Sequence, residues 1–269
     1  MEFFDQSEQL KNFTKHKKVN EKIAKLVAIT SGKGGVGKSN FILNLAIAMS
    51  IRGKKVLLID ADMNLSNLDV LTGVYAEHSI TAYLDSLITL DELLIEGPKG
   101  VKILPAASGD IRIMQSQGEI QKALIQIYRD LQVEYDYILI DTGAGISDYT
   151  LEFVLSADKI IVISTPEPTS ITDAYAMIKV LHYRKKEPNI YMVINMAQTD
   201  NEGKNIFNKV NLIIRHFLNK QINHLGSIPY DRYLPEAVKE QVPIIIKRPR
   251  SVSSANIHNI AMTLLKEDK

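Results

Sequence analysis

The segment Gly32-Lys33-Gly34-Gly35-Val36-Gly37-Lys38-Ser39 spaces glycines, a lysine and a hydroxyl as a phosphate chain requires. Glycines let successive backbone N–H groups turn toward one centre and form an anion-binding nest. A helix that starts there adds the partial positive charge of its N-terminus. In the pattern G-x-x-x-x-G-K-[ST] the final lysine reaches the β- and γ-phosphates and the hydroxyl holds Mg²⁺, which gives those roles to Lys38 and Ser39, with Asn40 next in line. Three carboxylates follow in the chain: Asp60 and Asp62 in LLIDADMNLSNLD, and Asp141 in YDYILIDTGAGI. Carboxylates at the C-terminal ends of strands face the ligand crevice of an α/β sheet. Mg²⁺ prefers hard oxygen ligands, often through waters. Asp141 therefore reads as the metal-side acid and Asp60 as its water-holding neighbour. Asp62, just beyond its strand, reads as the group that orients an attacking water. Gly143-Ala144-Gly145 supplies a turn whose backbone N–H can sense a γ-phosphate.

The base follows from a later strand end. Guanine readers use Asn-Lys-x-Asp, whereas this chain has Asn195-Met196-Ala197-Gln198, without the Lys and Asp. An Asn amide can accept from adenine N6 and donate to N7. ATP is therefore the expected nucleotide, with Asn195 on the adenine and the loop Pro229-Tyr230-Asp231 beside it.

These residues need a scaffold that presents strand ends at one edge. Lys25–Ser31, Lys54–Asp60, Tyr135–Asp141, Lys159–Ser164 and Ile190–Asn195 are short, nearly continuous apolar runs, as in strands covered on both faces. Val101–Leu104 and His224–Ile228 read as two more. Helix-length segments lie between them: Ser39–Arg52, Ser147–Ala157, Thr172–Arg184 and Ile206–Leu218, with another near Leu234–Glu240. This alternation predicts a doubly wound, mostly parallel α/β sheet flanked by helices. Residues 25–269 read as one domain, and residues 1–24 as a lysine-bearing extension. Ile257, Ile260, Ala261, Leu264 and Leu265 form one apolar helix face within Ile257–Lys266. That face either docks on the sheet or dips into a bilayer surface.

Composition sets limits. Among 269 residues, Lys plus Arg number 32 and Asp plus Glu 31, a formal charge of +1 that argues against a general nucleic-acid binder. The small basic cluster Lys247-Arg248-Pro249-Arg250 still offers anionic lipid or nucleic acid a contact. There is no cysteine, so disulfides, thiol catalysis and Cys-ligated clusters are excluded. No run approaches the ~20 apolar residues of a membrane helix, and the first residues do not read as a signal peptide, so the cytoplasm is the expected compartment.

The stretch KGGVGKS after a strand resembles the deviant Walker A loop of the MinD/ParA group of P-loop ATPases, and the resemblance extends over essentially the whole chain. It implies an ATP-sandwiched homodimer in which Lys33 reaches the nucleotide of the partner subunit. It also implies that Asp62 is the hydrolysis residue, and that segments near 62–69 and 142–150 are the switches. The cluster-carrying branches of that group need cysteines, so the spatial regulators remain. Within these, three stretches are similar to the FlhG family: Asp5-Gln6-Ser7-Glu8-Gln9-Leu10-Lys11, Asp141-Thr142-Gly143-Ala144-Gly145, and the segment Thr165 to Tyr175. The first is similar to a D-Q-A-x-x-L-R motif and departs from it at Ser7 and Lys11. The FlhG resemblance implies control of flagellar number and placement. Its implied partner is an FlhF-type SRP GTPase, contacted through Asp5, Gln6, Leu10 and Lys11. Flagellar switch or C-ring proteins are further partners, and the last helix implies reversible membrane association. Division-site or DNA/cargo positioning is the alternative within the group.

Overall fold

The computed structural model describes residues 23–62, 68–105 and 117–268. Eight strands form one sheet: β1 (Lys25–Thr30), β2 (Val56–Ala61), β3 (Ile95–Glu96), β4 (Lys102–Leu104), β5 (Tyr137–Thr142), β6 (Lys159–Ser164), β7 (Ile190–Ala197) and β8 (Asn223–Pro229). Their order is β3-β4-β2-β5-β1-β6-β7-β8. Every pairing is parallel except β3 with β4. The order reverses around β1, so the loops after β1, β2 and β5 meet at one crevice.

The helices among the described residues are α1 (Lys38–Ile51), α2 (Leu68–Thr72), α3 (Ile80–Leu84), α4 (Leu90–Leu93), α5 (Gln117–Leu131), α6 (Asp148–Ser156), α7 (Pro168–Arg184), α8 (Asp200–Leu218), α9 (Leu234–Lys239), α10 (Ile244–Lys247) and α11 (Val252–Glu267). Strand residues alternate between two cores. Leu26, Ala28, Ile138, Ile140, Met192 and Ile194 pack with residues of α5, α6, α7 and α8. Val27, Ile29, Leu58, Leu139 and Val193 pack with α1 and α11 on the other side. Burial on both faces explains why the strands read as unbroken apolar runs.

Caps move several boundaries away from the apolar pattern. Helix α7 begins at Pro168, before the expected Thr172, because Pro suits the first helical turn. Helix α8 begins at Asp200, where the Thr199 hydroxyl accepts from the Glu202 N–H. Its polar first turn carries no apolar signal. Helix α5 and strand β3 were not expected from the sequence.

The face whose target the sequence left open lies in the core. Ile257, Ile260, Ala261 and Leu264 are at most 3% exposed against α1 and β8, so this face is not presented to a bilayer. The end of α11 is fastened as well. Lys159, itself buried, pairs with Glu267 at 3.2 Å and Asp268 at 3.0 Å. The Tyr191 and Tyr137 hydroxyls donate to the same two carboxylates. No helix among the described residues is long and apolar enough to cross a membrane.

Candidate nucleotide site

The loop after β1 has the backbone a nest requires. Gly35 and Gly37 have φ of +77° and +91°, a region that favours glycine. Gly37 caps α1. Space is as restrictive as conformation. A Cβ on Gly37 would meet the Asn195 amide nitrogen at 2.5 Å, and one on Gly32 would collide with the Asp173 backbone of α7. The loop is thus wedged between the end of β7 and α7. Ser31 fixes its entry, the hydroxyl donating to the Lys33 carbonyl at 2.7 Å.

Lys38 is buried, as are Asp60 and Asp141, which are direct neighbours across the parallel β2–β5 pair. The Ser39 hydroxyl lies beside the Asp141 carboxylate. Burial raises Asp141 from its ordinary 3.8 to about 6, although the Ser39 hydroxyl and the Lys38 charge oppose the rise. Asp141 Oδ1 is buried and has no hydrogen-bond partner among the described residues. An orphaned carboxylate oxygen beside a hydroxyl and a second carboxylate suits a hard divalent cation. No group of three or more His, Cys, Asp or Glu residues among the described ones is placed to hold a metal.

Asp60 Oδ1 accepts from the Asp62 backbone N–H at 3.1 Å, which sets the direction of the chain as it leaves β2. The Asp62 carboxylate lies beside Gly143, 3.5 Å from where a Cβ there would sit. Residues 63–67 of the expected first switch, and Asp5, Gln6, Leu10 and Lys11, lie outside the described residues. The segment after β5 is tied to the loop: the Gly145 N–H donates to the Ser31 carbonyl at 2.9 Å and the Thr142 hydroxyl to the Ile29 carbonyl at 2.9 Å. The Ser147 hydroxyl then caps α6.

The structure gives three other expected site residues unexpected neighbours. The Lys33 ammonium lies 2.7 Å from Glu167 and 3.1 Å from the Thr169 hydroxyl, at the start of α7. Glu167 and Thr169 have no motif of their own, and only the fold brings them to the loop. The Asn195 amide nitrogen donates to the Val36 carbonyl at 2.8 Å, so the donor arm expected on adenine is engaged by the loop. Both carboxylate oxygens of Asp231 are taken by backbone N–H groups, of Tyr233 at 3.0 Å and Ser253 at 3.1 Å. Burial pushes the Asp231 carboxyl up, but these bonds and those from Ser251 and Ser253 hydroxyls hold it below its ordinary value. Asp231 therefore shapes the loop, while Tyr230 stands 62% exposed beyond Pro229. Asn40 continues α1, and its carbonyl accepts from the Asn44 amide at 2.7 Å. Within the basic cluster, Lys247 pairs with Glu236 at 3.0 Å and Glu240 at 2.7 Å, and Arg248 lies over the Tyr233 ring.

A ParA family model described as NUBPL iron-transfer P-loop NTPase matches residues 22–265. The antiactivator FleN of Pseudomonas aeruginosa is 37% identical over 236 residues, covering 88% of this chain and 84% of that protein. The flagellum site-determining protein YlxH of Helicobacter pylori is 34% identical over 251 residues, covering 92% and 84%. The chain belongs to the FlhG family of MinD/ParA ATPases. The septum site-determining protein MinD of Pyrococcus horikoshii, solved with Mg-ADP, superposes with a TM-score of 0.77 at 25% identity, covering 91% of this chain and 98% of that one. This FlhG-family chain is a P-loop ATPase. The iron-transfer part of the family description finds no thiol ligand here, since the chain has no cysteine.

Proposed function

We propose that this ATPase is a nucleotide-operated switch that sets flagellar number and placement. The observation that carries the catalytic half is the preassembled set of buried Lys38, the Ser39 hydroxyl beside Asp141 and the orphaned Asp141 oxygen. The loop N–H groups of residues 32–39 and Lys38 hold the ATP phosphates. Ser39, Asp60 and Asp141 hold Mg²⁺, which when bound neutralises charge on the phosphate oxygens. Asn195 and the 229–231 loop border the base. Two copies close on two nucleotides, and Lys33 leaves Glu167 to reach the nucleotide of the other copy. That exchange costs little, because an exposed lysine–carboxylate pair is worth about 0–1 kcal/mol. Asp62 orients the attacking water. Without a supplied activating group, P-loop hydrolysis runs at roughly 10⁻⁴–10⁻² s⁻¹, which suits a timer.

The biological half rests on the FleN and YlxH relatives and on the 5–11 motif. In this reading Asp5, Gln6, Leu10 and Lys11 contact an FlhF-type SRP GTPase, and the closed dimer engages flagellar switch or C-ring proteins. The apolar face of Ile257–Lys266 stays on the core, so membrane attachment through it is not part of the proposal. The test is size exclusion with light scattering on Asp62→Ala in ATP and Mg²⁺, beside GTPase assays with an FlhF-type partner. A stable ATP-dependent dimer is expected, with GTPase stimulation lost in Asp5→Ala/Leu10→Ala. A persistent monomer overturns the sandwich. Stimulation that survives the double substitution overturns the partner contact.

A further inference from the structure

At the edge of the sheet opposite the nucleotide, two adjoining cavities of 680 and 450 Å³ lie between the ends of α7 and α8 and share His182 and Lys220. Their apolar floor includes Ala176, Val180 and Leu218. Lys179, Arg215 and Lys220 line them against a single carboxylate, Glu187. The His182 ring nitrogens are buried and have no hydrogen-bond partner among the described residues. An apolar floor with a cationic rim and an unpartnered imidazole calls for an occupant that is both acidic and hydrophobic.

We propose that residues 1–10 of the same chain occupy this groove. That stretch carries Glu2, Asp5 and Glu8 with no Lys or Arg, and interleaves Phe3, Phe4 and Leu10. Its side-chain charge is therefore opposite to that of the rim, and its apolar residues match the floor. Connectivity brings it to the correct edge. Ile23, 59% exposed, stands two residues before the start of β1, and Ala24 belongs to the same core layer as α7 and α8. Helices α7 and α8 end just before β7 and β8, so in this parallel sheet the groove lies at the edge where β1 begins. Strand β7 is two places from β1, about 10 Å in the plane of the sheet. The twelve residues 11–22 can span up to about 40 Å when extended.

Docking itself is independent of the function proposed above. Its consequence rests on that reading: residues 5–11 cannot lie in the groove and on a partner GTPase together, so the chain would restrain its own partner contact. The cysteine-free sequence makes disulfide trapping clean, because a disulfide forms only when two Cα atoms come within about 7 Å. The full chain is prepared as Ser7→Cys/Tyr183→Cys, with Tyr183 at the groove rim and 88% exposed. The control is Ser7→Cys/Thr263→Cys on the opposite face, where Thr263 is exposed on α11. At dilute concentration, with no partner present, the rim pair should close an intramolecular disulfide at least about tenfold faster than the control, as a tethered ligand at high effective concentration does. Adding Arg215→Glu/Lys220→Glu should slow it several-fold, with the circular dichroism melt confirming a folded chain. Equal rates for rim and control pairs overturn the proposal. So does a rate that ignores the charge reversal, or a product that is mainly disulfide-linked dimer, which would place a second copy in the groove.

Discussion

Two lysine–carboxylate ties hold opposite edges of the sheet, and they are built differently. Lys33 is 40% exposed and meets one carboxylate, Glu167, itself 64% exposed. Lys159 is 8% exposed, meets two carboxylates, and shares them with two tyrosine hydroxyls. Water screens the first pair, so its loss costs little. The second is largely desolvated, and removing one member strands the others. The ligand-facing edge thus rests on a contact that is cheap to exchange, while the opposite edge is fastened. This contrast suits a switch whose loop changes partners while its C-terminal helix stays in place.

The fastened edge is tested first because its effects are largest. Leu264→Ala removes a fully buried side chain from the α11 interface, and should destabilise the fold by about 2–5 kcal/mol in urea titration. A cost below 1 kcal/mol, with α11 released in hydrogen exchange, would mean that the helix is not a fixed part of the core. Lys159→Met should cost roughly 1–3 kcal/mol, less than a fully buried pair because Glu267 is 39% exposed and can turn to water.

Asp141 provides a middle-sized effect with a definite sign. Its folded pKa of about 6 lies above the ordinary 3.8, so the nucleotide-free protein binds more protons than its unfolded chain between those values. This group's contribution to stability therefore falls as pH rises from about 3.8 to 6, and the penalty is complete above that. Asp141→Asn should raise nucleotide-free stability at pH 8 by on the order of 2 kcal/mol. It should also abolish the thermal shift produced by Mg²⁺ and ATP. The exchangeable edge comes last. Lys33→Ala should change nucleotide-free stability by less than about 1 kcal/mol, yet eliminate the ATP-dependent dimer. A larger loss of stability would make the Lys33–Glu167 contact structural and remove the contrast.

Much of this was legible in the sequence for reasons that can be named. Strands buried on both faces are almost wholly apolar, so β1, β2, β5, β6 and β7 stood out. The loop from Gly32 to Ser39 was legible because a phosphate nest tolerates few residue types. Helix α5 carried a sequence signal of its own that the strand pattern does not reveal: Ser116 and Glu119 are spaced as a capping box, and Leu124, Ile127 and Leu131 recur at a helical period. The first turns of α7 and α8 escaped because caps and proline, not apolar spacing, define them.

The sequence by itself determined the alternating α/β architecture, the phosphate loop and the order of Asp60, Asp62 and Asp141, since each follows from local backbone chemistry or from a pattern contiguous in the chain. Only the tertiary structure decided what the long side chains meet. Lys33 finds Glu167 across 134 positions, Asn195 reaches Val36 across 159, and the apolar face of α11 turns inward onto α1 and β8. An amphipathic helix buries the same face against a core or a bilayer, and a lysine pairs with whichever carboxylate packing brings near. Both outcomes depend on the arrangement of distant segments, which residue spacing along the chain does not encode.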